Sequence, residues 1–360
     1  MGRNRNKYIF ASNIRMERSH KFRNTMLLVL PLLVLLVFLA NVIVSRNVKL
    51  EEETVTILNL PEALDCYSIL HVSDLHGARY GEKQKAIENA LDSARYSCVV
   101  MTGDMLGENQ DVEPLLELVA LMPKDKPKYF LPGDMDGDYI AREAHSSLSY
   151  YTEWAERLMA AGVTILDRPM CETRGEGTKQ EGTIWFIPED IYTLDLDVTE
   201  KVLLKQQQTL EAQVVLSADE AARLRALEYD LERLESIRET RKLIQPEDIQ
   251  IVVTHTPLTE AYVAEMVSWS TKEEFFSIRY AGLVLAGHYN GGQWRVPFKG
   301  AIYVPELGWF PDDSKIQGLS YLGDLPQYIS PGLGSDPHYQ NMPGRLFNPP
   351  VLTKITLTNR

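Results

Sequence analysis

Seven short apolar runs rich in β-branched residues recur between residues 67 and 286. They are Tyr67–Ser73, Cys98–Thr102, Tyr129–Leu131, Val163–Leu166, Thr183–Ile187, Ile249–Thr254 and Leu283–Ala286. Their length and content predict strands buried on both faces. Helical patterns between them, such as Glu82–Ala94 and Pro114–Met122, argue for an α/β chain. Five of the seven runs pass at once into a polar loop carrying Asp or His: Asp74-Leu75-His76, Gly103-Asp104, Pro132-Gly133-Asp134, His255 and Gly287-His288. Ligands of α/β sheets collect at the carboxyl ends of strands, so these loops are the first place to look for chemistry.

Ahead of this pattern lies a different kind of segment. Met26 to Val44 reads MLLVLPLLVLLVFLANVIV, uncharged and broken only by Pro31 and Asn41. At about 1.5 Å per residue it just spans a hydrocarbon core of about 30 Å. Residues 1–24 carry seven basic side chains against Glu17, whereas Arg46 and Lys49 beyond the run soon meet Glu51, Glu52 and Glu53. The positive-inside rule then predicts a cytoplasmic N-terminus over residues 1–25 and a transmembrane helix over 26–44. The main domain, 54–360, is expected outside a cell membrane crossed once. An uncleaved anchor is expected rather than a signal peptide, because the apolar run is long and no small-x-small cleavage site follows.

The whole chain stands at −13, so the part after the basic N-terminus stands at −19. Such a body repels polyanions and excludes general nucleic-acid binding. Cys66, Cys98 and Cys171 are too few and too scattered for a disulfide framework or a zinc ribbon. Residues 192–245 interrupt the alternation with two helical patterns, Asp195–Gln213 and Ala218–Lys242. Ser217 and Glu220 form a capping-box signature, and Leu224, Leu227, Leu231 and Leu234 form one apolar stripe. A helical hairpin packed on itself or on the core is expected, with an arm that binds a protein partner or covers substrate as the alternative. From Gly300 the chain reads as loops closing a sheet, followed by a final strand-like run over Val351–Leu357.

Asp74 and His76 stand one residue apart after a strand, so a strand-like backbone would point both the same way. His255, His288 and Asp104 add imidazole and carboxylate from other strand ends. Mixed Asp/His sets suit Mn, Fe or Zn better than Ca, which wants oxygen alone. A bridging carboxylate flanked by such ligands would hold two cations about 3.5–4 Å apart.

The ordered set Asp74-Leu75-His76, Gly103-Asp104, Gly133-Asp134-Met135-Asp136, His255 and Gly287-His288-Tyr289-Asn290 resembles the calcineurin-like metallophosphoesterase superfamily. SDLHG at 73–77, GHYNGGQ at 287–293, ISPGLG at 329–334 and RLFNPP at 345–350 resemble its membrane-anchored or exported bacterial branch. The resemblance covers about residues 54–357 apart from the insertion. It implies a four-layer sandwich of two mixed β-sheets flanked by helices, with two divalent metal ions at the strand ends. Asp74 and His76 would hold the first metal, Asp104 would bridge, and His255 and His288 would hold the second. Asp134 stands where the family expects a ligating Asn, and Asn290 where it expects a second ligating His, which puts full occupancy of the first site in question. Met135 stands where the family has a histidine beside the scissile phosphate, and a thioether neither stabilises charge there nor protonates a leaving group. Asp136, Asp138 and His145 are the candidate replacements. Two functions follow. One is a metal-dependent phosphoesterase, slow or selective for good leaving groups, acting on an envelope lipid, an undecaprenyl-type or nucleotide-sugar phosphate, or a cell-wall polymer. The other is a catalytically impaired relative that binds metal or a phosphorylated ligand and regulates. Trp294 and Arg295 are further candidates for substrate contact.

Overall fold

The computed structural model describes residues 9–144, 149–177, 181–269, 276–337 and 344–359, with side chains from residue 22 onward. Helix α1 (Ile9–Arg46) leads into β1 (Lys49–Thr56), which starts before residue 54. Next come β2 (Ser68–Val72), α2 (Lys85–Leu91), β3 (Cys98–Thr102), α3 (Glu113–Ala120), β4 (Lys128–Leu131), α4 (Glu153–Ala160) and β5 (Thr164–Ile165). The second half holds β6 (Met170–Arg174), β7 (Gly182–Pro188), α5 (Leu196–Glu211), α6 (Ala218–Arg241), β8 (Ile249–Val253), α7 (Glu260–Trp269) and β9 (Ala281–Ala286). Two small hairpins follow, β10 (Arg295–Val296) with β11 (Gly300–Ala301) and β12 (Tyr303–Val304) with β13 (Gly308–Trp309). The chain closes with β14 (Gly318–Leu322), β15 (Leu325–Ile329) and β16 (Val351–Thr358).

These strands build two six-stranded mixed sheets, β1-β16-β2-β3-β4-β5 and β14-β15-β9-β8-β7-β6. Both have a parallel centre, β2-β3-β4-β5 in one and β15-β9-β8-β7 in the other. The side-chain period of two sends alternate residues to opposite faces. In β3, Cys98 and Val100 enter the core between the sheets while Val99 and Met101 meet the helices of the first sheet. In the second sheet Ile251 and Val253 face inward, and Val252 packs outward with Met266 of α7. Helices α2, α3 and α4 cover the first sheet, and α5, α6 and α7 the second. The result is the expected four-layer α/β sandwich.

Local chemistry accounts for where elements start and stop. The helix expected over Glu82–Ala94 is reduced to α2, because Gln84 turns its side chain inward. Its amide bonds the N–H of Tyr80 and the carbonyls of Ala78 and Pro114, and Lys83 and Gln84 take left-handed backbone. Ser217 and Glu220 cap α6 reciprocally, as their spacing predicts. Leu227 and Leu234 of the leucine stripe are buried, with Ala226 and Tyr229 packing on Ile140 and Leu234 and Ile237 on Trp185 and Ile187. The β14–β15 hairpin lies in a region read above as loops. Its two-residue turn, Gly323-Asp324, pairs Leu322 with Leu325 and uses positive φ at Gly323.

Helix α1 stands apart. Phe22–Arg46 is long and apolar enough to cross a membrane, and its apolar window is unburied. Only its last turns touch the domain. Asn41 Nδ2 and Ser45 Oγ donate to the Arg345 carbonyl at 3.1 and 3.0 Å, and Asn41 Oδ1 accepts from the Phe347 N–H at 2.7 Å. The one amide in the apolar run is therefore satisfied by the folded domain.

His71 of β2 lies wholly within the core, with Nε2 2.9 Å from Thr102 Oγ1 and its ring edge-on to Tyr328. Burial pushes this imidazole down to about 3. Once unfolded it takes a proton near its ordinary pKa of about 6.5, so the unfolded state binds more protons at intermediate pH. Stability contributed by neutral His71 is thus present above about pH 6.5 and is lost on acidification, at up to about 1.4 kcal/mol per pH unit. Equilibrium unfolding of His71→Gln should show a shallower acid slope than the wild type between about pH 6.5 and 4.5. Equal slopes would exonerate His71.

Candidate metal centre

The carboxyl ends of β2, β3 and β4 from one sheet and of β8 and β9 from the other meet at a single seam. The loops that leave these strands turn sharply. Asp74, His76, Asp104, His288 and Asn290 all have positive φ, between +47° and +76°. Such backbone is uncommon for any residue but glycine, and its clustering at one place marks a site held by its surroundings. It also corrects the strand-like geometry expected for Asp74 and His76: β2 ends at Val72, and the two side chains converge through a left-handed turn. Two glycines let the loops approach. A Cβ on Gly103 would sit 2.6 Å from the Gly133 backbone and 2.7 Å from His255 Nδ1, and one on Gly133 would sit 2.5 Å from Asp104 Oδ1.

The turns bring together two sets of donor atoms, each set within 4.8 Å of one another: Asp74, His76 and Asp104, and Asp104, His255 and His288. Asp104 belongs to both. Its Oδ1 accepts from the Met135 N–H at 2.8 Å, leaving Oδ2 to face His76 Nε2 at 3.9 Å and His255 Nε2 at 3.3 Å. Asp134 reaches in from the rim, with Oδ2 3.9 Å from His255 Nε2 and 3.7 Å from His288 Nδ1. Asn290 closes the first set, its amide nitrogen 3.3 Å from His76 Nε2.

Neighbouring groups set the orientation of the rings. His255 Nδ1 donates to the Thr102 carbonyl at 2.8 Å, which turns Nε2 toward Asp104. His288 turns Nδ1 to the centre and Nε2 to Glu306 Oε1, 3.5 Å away. The Asp74 carboxylate accepts from the His288 N–H at 3.0 and 3.1 Å.

The electrostatics are those of a pocket short of positive charge. Burial raises the Asp74 carboxyl above its usual range. Burial would do the same to Asp104, but the His255 hydrogen bond and charge prevail and hold it low. Burial opposes charge on His255, yet the Asp104 hydrogen bond and the Asp74 charge push it up to about 10. Asn290 Oδ1 and His76 Nδ1 are buried without a hydrogen-bond partner. Buried carboxylates crowded with imidazoles and an orphaned amide oxygen fit divalent cations with mixed N and O ligands.

The other sequence candidates are placed differently. Asp136 is wholly buried, and its carboxylate accepts from the N–H groups of Gly133, Met105 and Leu106 at 2.7–2.8 Å. It ties the Gly103 and Gly133 loops together, and burial pushes its carboxyl up to about 6. Both of its oxygens are committed to backbone donors. Asp138 lies beyond the loop, within 4.0 Å of Arg142, and His145 lies outside the described residues. Arg295 is clamped by the Gly291 carbonyl and Asp313, whereas Trp294 lines a small cavity of about 70 Å³ that opens beside His288. Tyr303, Glu306 and Asp336 line the same cavity. Glu306 carries no sequence signal, since it sits in a Pro-containing loop with no motif of its own.

No curated protein matches the chain. Among solved structures, the phosphopantetheinyl hydrolase from Mycobacterium tuberculosis is similar at 11% identity and a TM-score of 0.36, over 81% of this chain and 96% of that one. The family model of calcineurin-like phosphoesterases matches residues 67–290, well over half of the chain and every strand-end loop from Asp74 to Asn290. Its strands, its strand-end loops and this match agree: the chain belongs to the calcineurin-like phosphoesterases, metal-dependent hydrolases of phosphoester bonds.

Proposed function

We propose that this protein is a membrane-anchored phosphoesterase with a dinuclear centre. Asp74, His76 and Asn290 would hold one cation, Asp134, His255 and His288 the other, and Asp104 would be shared by both. The observation that carries this reading is the membership of Asp104 in both donor sets. When bound, divalent cations of the Mn, Fe or Zn type lower the pKa of a water nucleophile and neutralise the phosphoryl oxygens.

The chain's own residues do the rest. The Met135 N–H fixes the bridging carboxylate, the Thr102 carbonyl fixes the His255 tautomer, and Glu306 orients His288 through its outer nitrogen. The cavity between His288, Trp294 and Tyr303 offers room for a leaving group. Among the described residues of the Gly133 loop, Met135 cannot deliver a proton to it and Asp136 is held by three N–H groups. Loss of an acid–base group costs typically about 10²–10⁴-fold. The reaction is then selective for groups that leave without a proton, such as phenolates and phosphoanhydrides.

Helix α1 supports the anchor reading, with the N-terminus in the cytoplasm and the domain outside. Asn41 and Ser45 belong to the domain's hydrogen-bond network, which a cleaved leader would abandon. Substrates of the envelope, lipid-linked or nucleotide-sugar phosphates, follow from that location. A second reading, a metal- or phospholigand-binding regulator, is favoured by Met135 and by the amide at Asn290.

Three measurements separate these. Purified full-length protein should hold two divalent cations by elemental analysis, and Asp104→Asn should lose at least one of them while its circular dichroism is retained. With Mn²⁺ added, the wild type should hydrolyse an aryl phosphodiester and Asp104→Asn should not; metal bound without turnover leaves only the regulator. Met135→His should raise the rate on an alkyl phosphoester by about 10²-fold or more, and on an aryl ester far less. Equal gains on both would refute the leaving-group argument.

A further inference from the structure

The two small hairpins beside the cavity carry aromatic side chains outward. Phe298 is fully exposed, Trp309 is 72% exposed, and Phe310 and Tyr303 are partly so. They form a group: the Tyr303 and Trp309 rings are 5.1 Å apart, Trp309 and Phe310 6.4 Å, and Lys299 Nζ stands 4.0 Å from the Phe310 ring. Soluble surfaces rarely gather such residues without use.

Their backbone is costly as well. Phe298 has φ +67° and Phe310 φ +48°, where a bulky residue is a true outlier. Phe298 follows Pro297 in a turn closed by the Lys299 N–H to the Val296 carbonyl at 3.0 Å, a position that glycine or asparagine would fill without strain. Two aromatics held on strained backbone, Phe298 in the turn of the first hairpin and Phe310 at the open end of the second, point to function rather than to folding.

The position of these hairpins relative to α1 identifies what they meet. Phe347 and Arg345 are bonded to Asn41 and Ser45 in the last turns of the apolar helix. Between them, Leu346 pairs with the root of the first hairpin, its N–H to the Gln293 carbonyl at 3.1 Å and its carbonyl from the Arg295 N–H at 2.9 Å. One residue of backbone thus separates the end of the membrane segment from the strand that leads to Phe298. The acids at the base of the group are occupied: Asp313 pairs with Arg295, and Asp312 accepts from the N–H and hydroxyl of Ser314.

We propose that the 295–310 hairpins rest in the interfacial layer of the bilayer that α1 crosses, and that the cavity beside His288 opens onto that layer. Trp and Tyr rings settle at headgroup depth, with basic side chains reaching to phosphates. The substrate is accordingly an amphiphile, a phosphoester whose apolar part stays in the membrane while its phosphate reaches the strand-end site. This rests on the anchor and phosphoesterase readings above and adds the substrate class to them.

The test uses the full chain in nanodiscs of phosphatidylcholine and phosphatidylglycerol. Cys66→Ser and Cys171→Ser remove the exposed thiols, and a fluorophore is placed through Leu33→Cys, Phe298→Cys or Val214→Cys in turn. Lipids carrying a nitroxide at headgroup or shallow acyl depth should quench the label at 298, deeper nitroxides the label at 33, and neither the label at 214 on the helical insertion. Quenching at 33 but not at 298 overturns the proposal and leaves the anchor standing. No quenching at 33 removes the anchor and the proposal with it. Cross-linking between two labels at 298 in place of lipid quenching assigns the patch to a second copy and also overturns it. In a parallel assay, the Phe298→Ser, Trp309→Ser, Phe310→Ser variant should lose at least fivefold more turnover on a long-chain aryl phosphodiester in the bilayer than on its short-chain soluble analogue. Equal losses overturn the substrate assignment, and no turnover of either by the wild type sinks the phosphoesterase reading instead.

Discussion

The His255 imidazole crosses from one sheet to the other, donating to the Thr102 carbonyl and turning its second nitrogen to Asp104. Everything at the strand ends depends on that crossing. It is possible because Gly103 and Gly133 present no side chain where a Cβ would strike His255 or Asp104. The apolar core between the sheets, built from alternate residues of β2, β3, β8 and β9, holds the two halves close enough for it.

Such closeness has a cost that the rest of the fold offsets. Left-handed backbone at five of the gathered residues, each typically worth about 1–3 kcal/mol, persists only where the surroundings over-determine it. Here they do. Asp74 is held by the Gly103 carbonyl on its own N–H and by the His288 N–H on its carboxylate, and Asp136 laces the neighbouring loops through three backbone donors. Carboxylates kept out of water need compensating charge. The raised His255 and the orphaned Asn290 amide oxygen show the same deficit.

Arg345 extends this framework toward α1. Its guanidinium is fully enclosed and, among the described residues, donates to the carbonyls of Pro331, Gly334, Asn348 and Pro349. Burial holds it down to about 10, against the opposing pull of Tyr80 and the Asp74 charge. The 331–334 segment it grips lies directly on Asp74, through the Leu333 and Gly334 N–H groups to the Ser73 and Asp74 carbonyls. Asn348 reaches the Asn290 carbonyl. One loop thereby touches the apolar helix at one side and, through Asp74 and Asn290, the first set of donors at the other. The helix and the site are parts of one framework rather than a tether and its cargo.

Much of this was legible in the chain itself. Period-two burial and β-branched runs gave the parallel strands, the capping box gave the start of α6, and spaced Asp and His at strand ends gave the gathered side chains, because these signals are local and repeat. β14 and β15 were not legible, since their Gly- and Pro-containing surroundings read as loop, nor was the inward turn of Gln84 that shortens α2. Glu306, the commitment of Asp136 to backbone and the reach of Arg345 escaped for a different reason. Each depends on which distant segment lies opposite, and a solitary Glu, Asp or Arg has the same local appearance whether it faces water, a metal or a carbonyl. Residue order determined the alternation, the apolar helix and the ligand types. Tertiary structure alone decided that strand ends of two sheets would meet at Asp104, and that the same loop would join that meeting point to the apolar helix, because those contacts arise between residues some 300 positions apart.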